Sequence, residues 1–450
     1  MWIALALAIA AADLIPARWS SSDSQSLDLV KQTPINCLLL EPSRWSKPFS
    51  EAAEKSGIAT FGLIHATDDT KELATRAKAA GLSGIVLEGK FDPSPAPALR
   101  DSGLLVVEMG PRARIQFDSA SPILATNQGV WPGINTVEDK TKAAPSGGPW
   151  IDTNAGFLRF FRVSTKAQVW MGYVPPANQV IPAARYLQAI ADAAIVGAKW
   201  VLALDPGFEK RLLARDVATL KDWKKIGDTL AFYWVEHKDW QPMEIYGKLA
   251  LVQDVNSGGL ISGGILDMIT VKHTPVRPVT PPKLSDAEMK LAKMAVNVDP
   301  ARLTPEQKEI LRTFTRGGGT LLNAPPGWKF PPAQDDKITL GEEEIKVIDQ
   351  IWKEVNSMTG RHNLGARLFN VSSVLSNMVT PATGKPLVLH LVNYSDYPVE
   401  NVAVHLLGKF AKAKIHEPGS AGRDLAIYEH EDGSGVDLEK LSSIATLVIE

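Results

Sequence analysis

Four carboxylates stand at the ends of short apolar runs. Ile35–Leu40 ends at Glu41, Gly84–Leu87 at Glu88, Leu104–Val107 at Glu108 and Trp200–Leu204 at Asp205. If the runs are parallel strands of one sheet, their acids share one rim. Two carboxylates on a common rim are what breaking a glycosidic bond requires. One, as the carboxylic acid, protonates the leaving oxygen; the other attacks, or activates water. Glu88 and Glu108 are the first pair, because they end neighbouring strands. Such strands lie about 4.8 Å apart, close to the separation of about 5 Å that direct attack uses. Glu41 and Asp205 are further candidates, and Asp152, in a loop, is an alternative. Each acid also has a structural use, since an acid after a strand can cap the next helix. His65 ends the run Ala59–Ile64 and faces the same rim, with a capping or polar-core role as its alternative.

Segment 129–156, GVWPGINTVEDKTKAAPSGGPWIDTNAG, is long and has little periodicity. Loops of that length inside a compact region are usually functional or disordered. Trp131 and Trp150 sit in Pro/Gly frames, and their faces suit stacking on sugar rings. Asp152, Asn154 and Gln128 are placed to hydrogen-bond hydroxyl groups. The competing use is local: Asp152 or Asn154 caps the helix at Phe157–Phe161, and the tryptophans pin the loop.

The elements that carry these residues alternate. Seven apolar runs between Ile35 and Leu204 are separated by helical stretches, the pattern of a parallel sheet covered by helices. Seven is one short of a (β/α)8 barrel, and Arg114–Phe117 is the candidate for the missing strand. Phe232–Val235 is the other, but its spacing of three and four with Leu220, Trp223 and Ile226 assigns Asp216–His237 to one closing helix. Asp13–Lys31 is polar and Ser-rich and reads as an extended lead-in. The expected fold is therefore an irregular (β/α)8-type barrel over 13–243. A small flavodoxin-like α/β domain over 244–340 follows. It has strands at Lys248–Gln253, Pro275–Val279, Met294–Val298 and Thr320–Asn323, and a helix at 258–269. Thr304-Pro305-Glu306-Gln307 is a helix start, with Thr as cap, Pro in the first turn and Gln three residues on. Gly317–Gly319 ends that helix. Residues 341–450 supply a linker helix and a C-terminal β-sandwich.

Composition narrows the partners. Lys and Arg number 48 against 50 Asp and Glu, a formal net charge of -2, so there is no basic excess for nucleic acid. One cysteine, Cys37, leaves no disulfide scaffold and no Cys-rich metal site. The eight histidines form neither HExxH nor HxH, so no metal is expected. Without GxSxG, or GxGxxG after a strand, neither an esterase triad nor a dinucleotide cofactor is expected. Met1–Ala12 is too short to span a bilayer, and no integral membrane span is expected. It reads as a signal segment with small residues at Ala8, Ala10 and Ala12, which points to a secreted or periplasmic protein.

Three phrases carry a resemblance. WPGINTV…GGPWIDTNAG resembles that region of bacterial glycoside-hydrolase-like TIM-barrel proteins. ARLTPEQKEILRTFTRGGGTLL resembles the glutamine-amidotransferase-like domain that follows the barrel in β-galactosidase-type enzymes, and LVLHLVNYSDYPVENVAVHL resembles their C-terminal β domain. The resemblance implies glycoside hydrolysis on an oligo- or polysaccharide, with the second domain serving assembly. The Asn-Glu pair that closes a strand in many retaining barrel enzymes is missing, and the amidotransferase-like region has no cysteine. The alternative is a non-catalytic carbohydrate-binding or cell-surface protein of the same architecture. A third reading is a scaffold whose C-terminal domains drive a homo-oligomer.

Overall fold

The computed structural model describes all residues except 1–10, 100–101, 133, 138–139, 144–152, 177, 256, 258–273, 326–327, 329–341, 372 and 432, and of 134–137, 140–143 and 345 only the backbone. Most of the expected signal segment, the expected helix at 258–269, Trp150 and Asp152 lie outside the described residues. The described part divides into two compact units.

The first unit is built on eight parallel strands: β1 (Pro16–Arg18), β2 (Cys37–Leu40), β3 (Ala59–His65), β4 (Gly84–Glu88), β5 (Leu105–Gly110), β6 (Ile123–Thr126), β7 (Gln168–Gly172) and β8 (Ala198–Val201). They neighbour one another in that order. A single bridge, Ala17 to Leu202, brings the last strand back to the first, with Arg18 N–H donating to the Leu202 carbonyl at 2.7 Å. The barrel is nearly closed. Its first strand lies in the segment expected to be an extended lead-in. Arg114–Phe117 forms no strand; Arg112–Arg114 is a 3-10 turn. Pro16-Ala17-Arg18 is too short, and starts with too stiff a residue, to show a strand pattern. Leu14 and Ile15 supply the apolar anchor instead, both buried.

Side chains from alternate positions fill the barrel: Leu39, Leu63, Val86, Val107, Met109 and Trp170 belong to one buried cluster, as expected of a packed barrel interior. Cys37 sits among them, and burial pushes its thiol well above the ordinary range. Helices Lys47–Lys55 and Thr70–Ala79 follow β2 and β3. Among the described residues, one helical turn, Ala96–Leu99, follows β4 and the 3-10 turn follows β5, with no longer helix after either, so the barrel is irregular. Val217–Ala231 continues into a π-helical turn at Phe232–Glu236, giving the expected long closing helix.

The second unit comprises 130–166, 187–197 and 237–450. It holds an open parallel sheet in the order Val276–Val279, Leu249–Val252, Met294–Asn297, Thr320–Asn323. Helix Pro305–Arg316 begins with the expected capping box between Thr304 and Gln307. Two antiparallel sheets, of six and four strands, form the C-terminal sandwich. Leu389, Leu391 and Leu447 from one sheet meet Val404, Leu406 and Val436 from the other. Ile134–Val137 and Lys140–Ala143 pair as a hairpin within the long loop.

Candidate active site

Parallel strands carry their C-terminal ends to one mouth of the barrel. Arg18 ends β1, Glu41 follows β2, His65 ends β3 and Glu88 ends β4. Glu41, His65 and Glu88 continue the inward-pointing series of their strands. Leu39 leads to Glu41, Leu63 to His65 and Val86 to Glu88, two residues on in each case. The period of two therefore aims all of them into the mouth.

There they form one network. The His65 Nε2 atom lies 2.9 Å from Glu41 Oε2, and its Nδ1 lies 3.6 Å from Glu88 Oε2. Arg18 donates to Glu88 Oε1 and stands 3.9 Å from Glu41 Oε1. The imidazole and the guanidinium thus each touch both carboxylates. The Glu88 side chain is 10% exposed, whereas that of Glu41 is 47% exposed. Local structure holds these groups. The His65 N–H donates to Asp68 Oδ2 at 2.7 Å, and Trp45 Nε1 donates to the Leu40 carbonyl at 2.8 Å beside Glu41. Glu41 opens a 3-10 turn with Pro42 next, yet its side chain makes no cap bond, which leaves the carboxylate to the network.

Glu108 is elsewhere. Val107 and Met109 point into the barrel, so Glu108 points out. The ladder pairs Glu88 with Met109 and Glu108 with Leu87, and that one-residue offset puts the two acids on opposite faces. Glu108 accepts from the Ser94 hydroxyl and lines an outer cleft of about 850 Å³ with Phe91 and Arg114. The pair expected from neighbouring strands is not brought together.

Asp205 is a helix cap. Its Oδ1 accepts from Phe208 N–H at 2.9 Å, and its Oδ2 accepts from the Tyr186 hydroxyl at 2.9 Å. Burial pushes the Tyr186 phenol up, which keeps that donor protonated. The loop residues also serve structure. Trp131 is buried, so its faces are not open to a sugar. Asn154 is buried, but its side chain does not cap the following helix. It clamps Val130 instead, accepting from the backbone N–H and donating to the carbonyl, both at 2.8 Å. Gln128 accepts from Arg112 N–H at 2.7 Å.

Arg18 is the member that sequence reasoning missed. The signal was present in Leu14, Ile15, Ala17 and Trp19, a tight apolar set around it. Among the described residues no group of three His, Cys, Asp or Glu is arranged to hold a metal ion, and no helix is long and apolar enough to cross a membrane.

The fold has solved counterparts. The α-L-fucosidase isoenzyme 2 from Paenibacillus thiaminolyticus matches with a TM-score of 0.60 at 10% identity, over 97% of this chain and 99% of that one. This chain shares its fold. A rhamnosidase from Novosphingobium sp. PP1Y matches at 0.43 and 10% identity, over 84% of this chain and 39% of that one. The β-galactosidase from the psychrophilic Marinomonas ef1 matches at 0.39 and 12% identity, over 90% and 66%. No protein-family model matches the sequence, and no curated protein matches it.

Proposed function

We propose that this protein is an exported glycoside hydrolase whose two carboxylates are Glu88 and Glu41. The observation that carries the reading is the Arg18–Glu41–His65–Glu88 network at the barrel end where enzymes of this fold do their chemistry. Glu88, covered and ion-paired with Arg18, suits the anionic role of nucleophile or base. Glu41, half exposed and bonded to His65, suits the acid. Its proton goes to the leaving oxygen and is replaced by way of the imidazole. The substrate is an oligo- or polysaccharide, with α-L-fucosides first in line because of the fucosidase fold. Asp152 is kept as a loop-borne alternative acid. The parallel-sheet domain is read as amidotransferase-like and concerned with assembly.

One observation favours a second reading. Both carboxylates already have cationic or imidazole partners within the network, as they would in a carbohydrate-binding barrel without turnover. Hydrolysis of aryl glycosides, headed by an α-L-fucoside, separates the two. Wild type is expected to turn over one of them, and Glu88→Gln and Glu41→Gln to lose at least about 100-fold in kcat. Turnover surviving both substitutions would move the chemistry away from the network. Sugar binding without turnover would establish the second reading.

A further inference from the structure

The four-stranded sheet of the C-terminal sandwich has an ordered outer face. Along Val399–Leu407, Val402, Val404 and Leu406 enter the core, so His405 points outward. Three rings surround it: Phe369 at 4.6 Å, His430 at 3.7 Å and Tyr428 at 6.2 Å between centroids. They come from strands Ala366–Phe369 and Tyr428–His430 on either side. The strand between, Gly433–Leu441, contributes Gly435, which is in register with both His405 and Tyr428. A Cβ at that glycine would meet the Tyr428 ring, so the ring lies in the space a side chain there would fill. The Tyr428 hydroxyl donates to Asp437 Oδ1 at 3.1 Å, and the Arg367 guanidinium lies 5.4 Å from the centre of the Phe369 ring. Phe369 is 37% exposed and Tyr428 36%. A single exposed ring is ordinary, but a row crossing adjacent strands marks an interaction surface.

We infer that this strip binds a glycan chain, at a site distinct from the barrel mouth. Sugar rings have apolar C–H faces and hydroxyl edges. The strip offers aromatic faces for the first, and Arg367 and Asp437 as donor and acceptor for the second. Protein interfaces favour aromatic and Arg side chains but deplete Asp, and here Asp437 stands among the rings on the Tyr428 hydroxyl. The choice of a glycan rests on the carbohydrate reading of the barrel; the strip itself does not.

Electrophoretic retardation of the full chain in native gels containing fucoidan, xylan, galactomannan or β-glucan tests it. At least one polysaccharide should retard wild type. Phe369→Ala and Tyr428→Ala should each weaken retardation about tenfold, the size of one aromatic contact, with melting temperature as the folding control. Tyr428→Phe, which keeps the ring, and Glu88→Gln should both stay retarded. Loss in Glu88→Gln but not in the strip variants would put binding in the barrel and overturn the strip while sparing the hydrolase reading. Retardation without any glycoside turnover would do the reverse. No retardation by any polysaccharide overturns the inference. So does a self-association, seen by sedimentation, that Phe369→Ala abolishes.

Discussion

Arg18 holds two carboxylates at once, and its removal would leave Glu88 largely covered and without its guanidinium. Breaking a buried ion pair costs more than the pair is worth, because the remaining charge stays desolvated. Arg18 and Glu88 are slightly open to solvent, so Arg18→Met should destabilise the protein by about 2 kcal/mol, read from the denaturant midpoint. The double variant Arg18→Met/Glu88→Gln should recover about half of that, since the orphaned charge is gone. Equal losses in the single and double variants would show that the Arg18 stem, not its charge, is what matters.

At the scale of an element, Asp205 illustrates how an acid at a strand end is consumed. It joins β8 to helix Pro206–Leu213 by capping that helix and receiving the Tyr186 hydroxyl. Asp205→Ala should lower stability by about 2 kcal/mol, seen in thermal melts, while the folded variant keeps wild-type kcat. A kcat loss like that of Glu88→Gln would return Asp205 to the site. The capping box of helix Pro305–Arg316 is a simpler case. Thr304→Ala should cost about 1 kcal/mol, and Thr304→Ser close to nothing.

At the scale of the molecule, acid sensitivity is written into a histidine cluster of the second unit. His237 stacks on Trp240 at 3.8 Å, and His390 and His416 meet the same tryptophan. Burial pushes His390 down to about 3 and His237 down to about 4, and lowers His416. Asp239 opposes the shift of His237 and His416, and Lys414 reinforces that of His416. Thr446 faces His390 at 2.9 Å. An unfolded histidine takes its proton near pH 6.5, whereas these take theirs only in stronger acid. Their stabilisation is therefore complete above about pH 6.5 and is lost as pH falls towards the folded values. His390 alone sets a slope of up to about 1.4 kcal/mol per pH unit in that window. Asp192, raised by burial, has the opposite sign: its contribution is lost as pH rises above the ordinary carboxylate range. Stability measured from pH 7 to pH 4 should fall, and His390→Gln should flatten the fall. An unchanged slope in that variant would locate the titration elsewhere.

Neighbours along the chain decided what the sequence determined alone. Apolar runs between helices specify a parallel barrel. Thr304 and Gln307 specify a helix start, and the alternation from Leu387 onward specifies the β tail. Such signals need only a few adjacent residues. The tertiary structure decided which way each acid points and what it meets. Strands covered on both faces are apolar throughout, so Leu104–Val107 shows no alternation from which to read that Glu108 turns outward. One residue of register reverses a face. Arg18 meets Glu41 and Glu88, and His65 meets the same two acids, only because the curved sheet brings the ends of four strands, separate in sequence, to one mouth. Trp131, Asn154 and Asp205 are taken from the candidate site by burial and by partners distant in sequence or set by loop shape. The chemistry of this chain depends on which side chains meet, and its local sequence specifies only the elements that carry them.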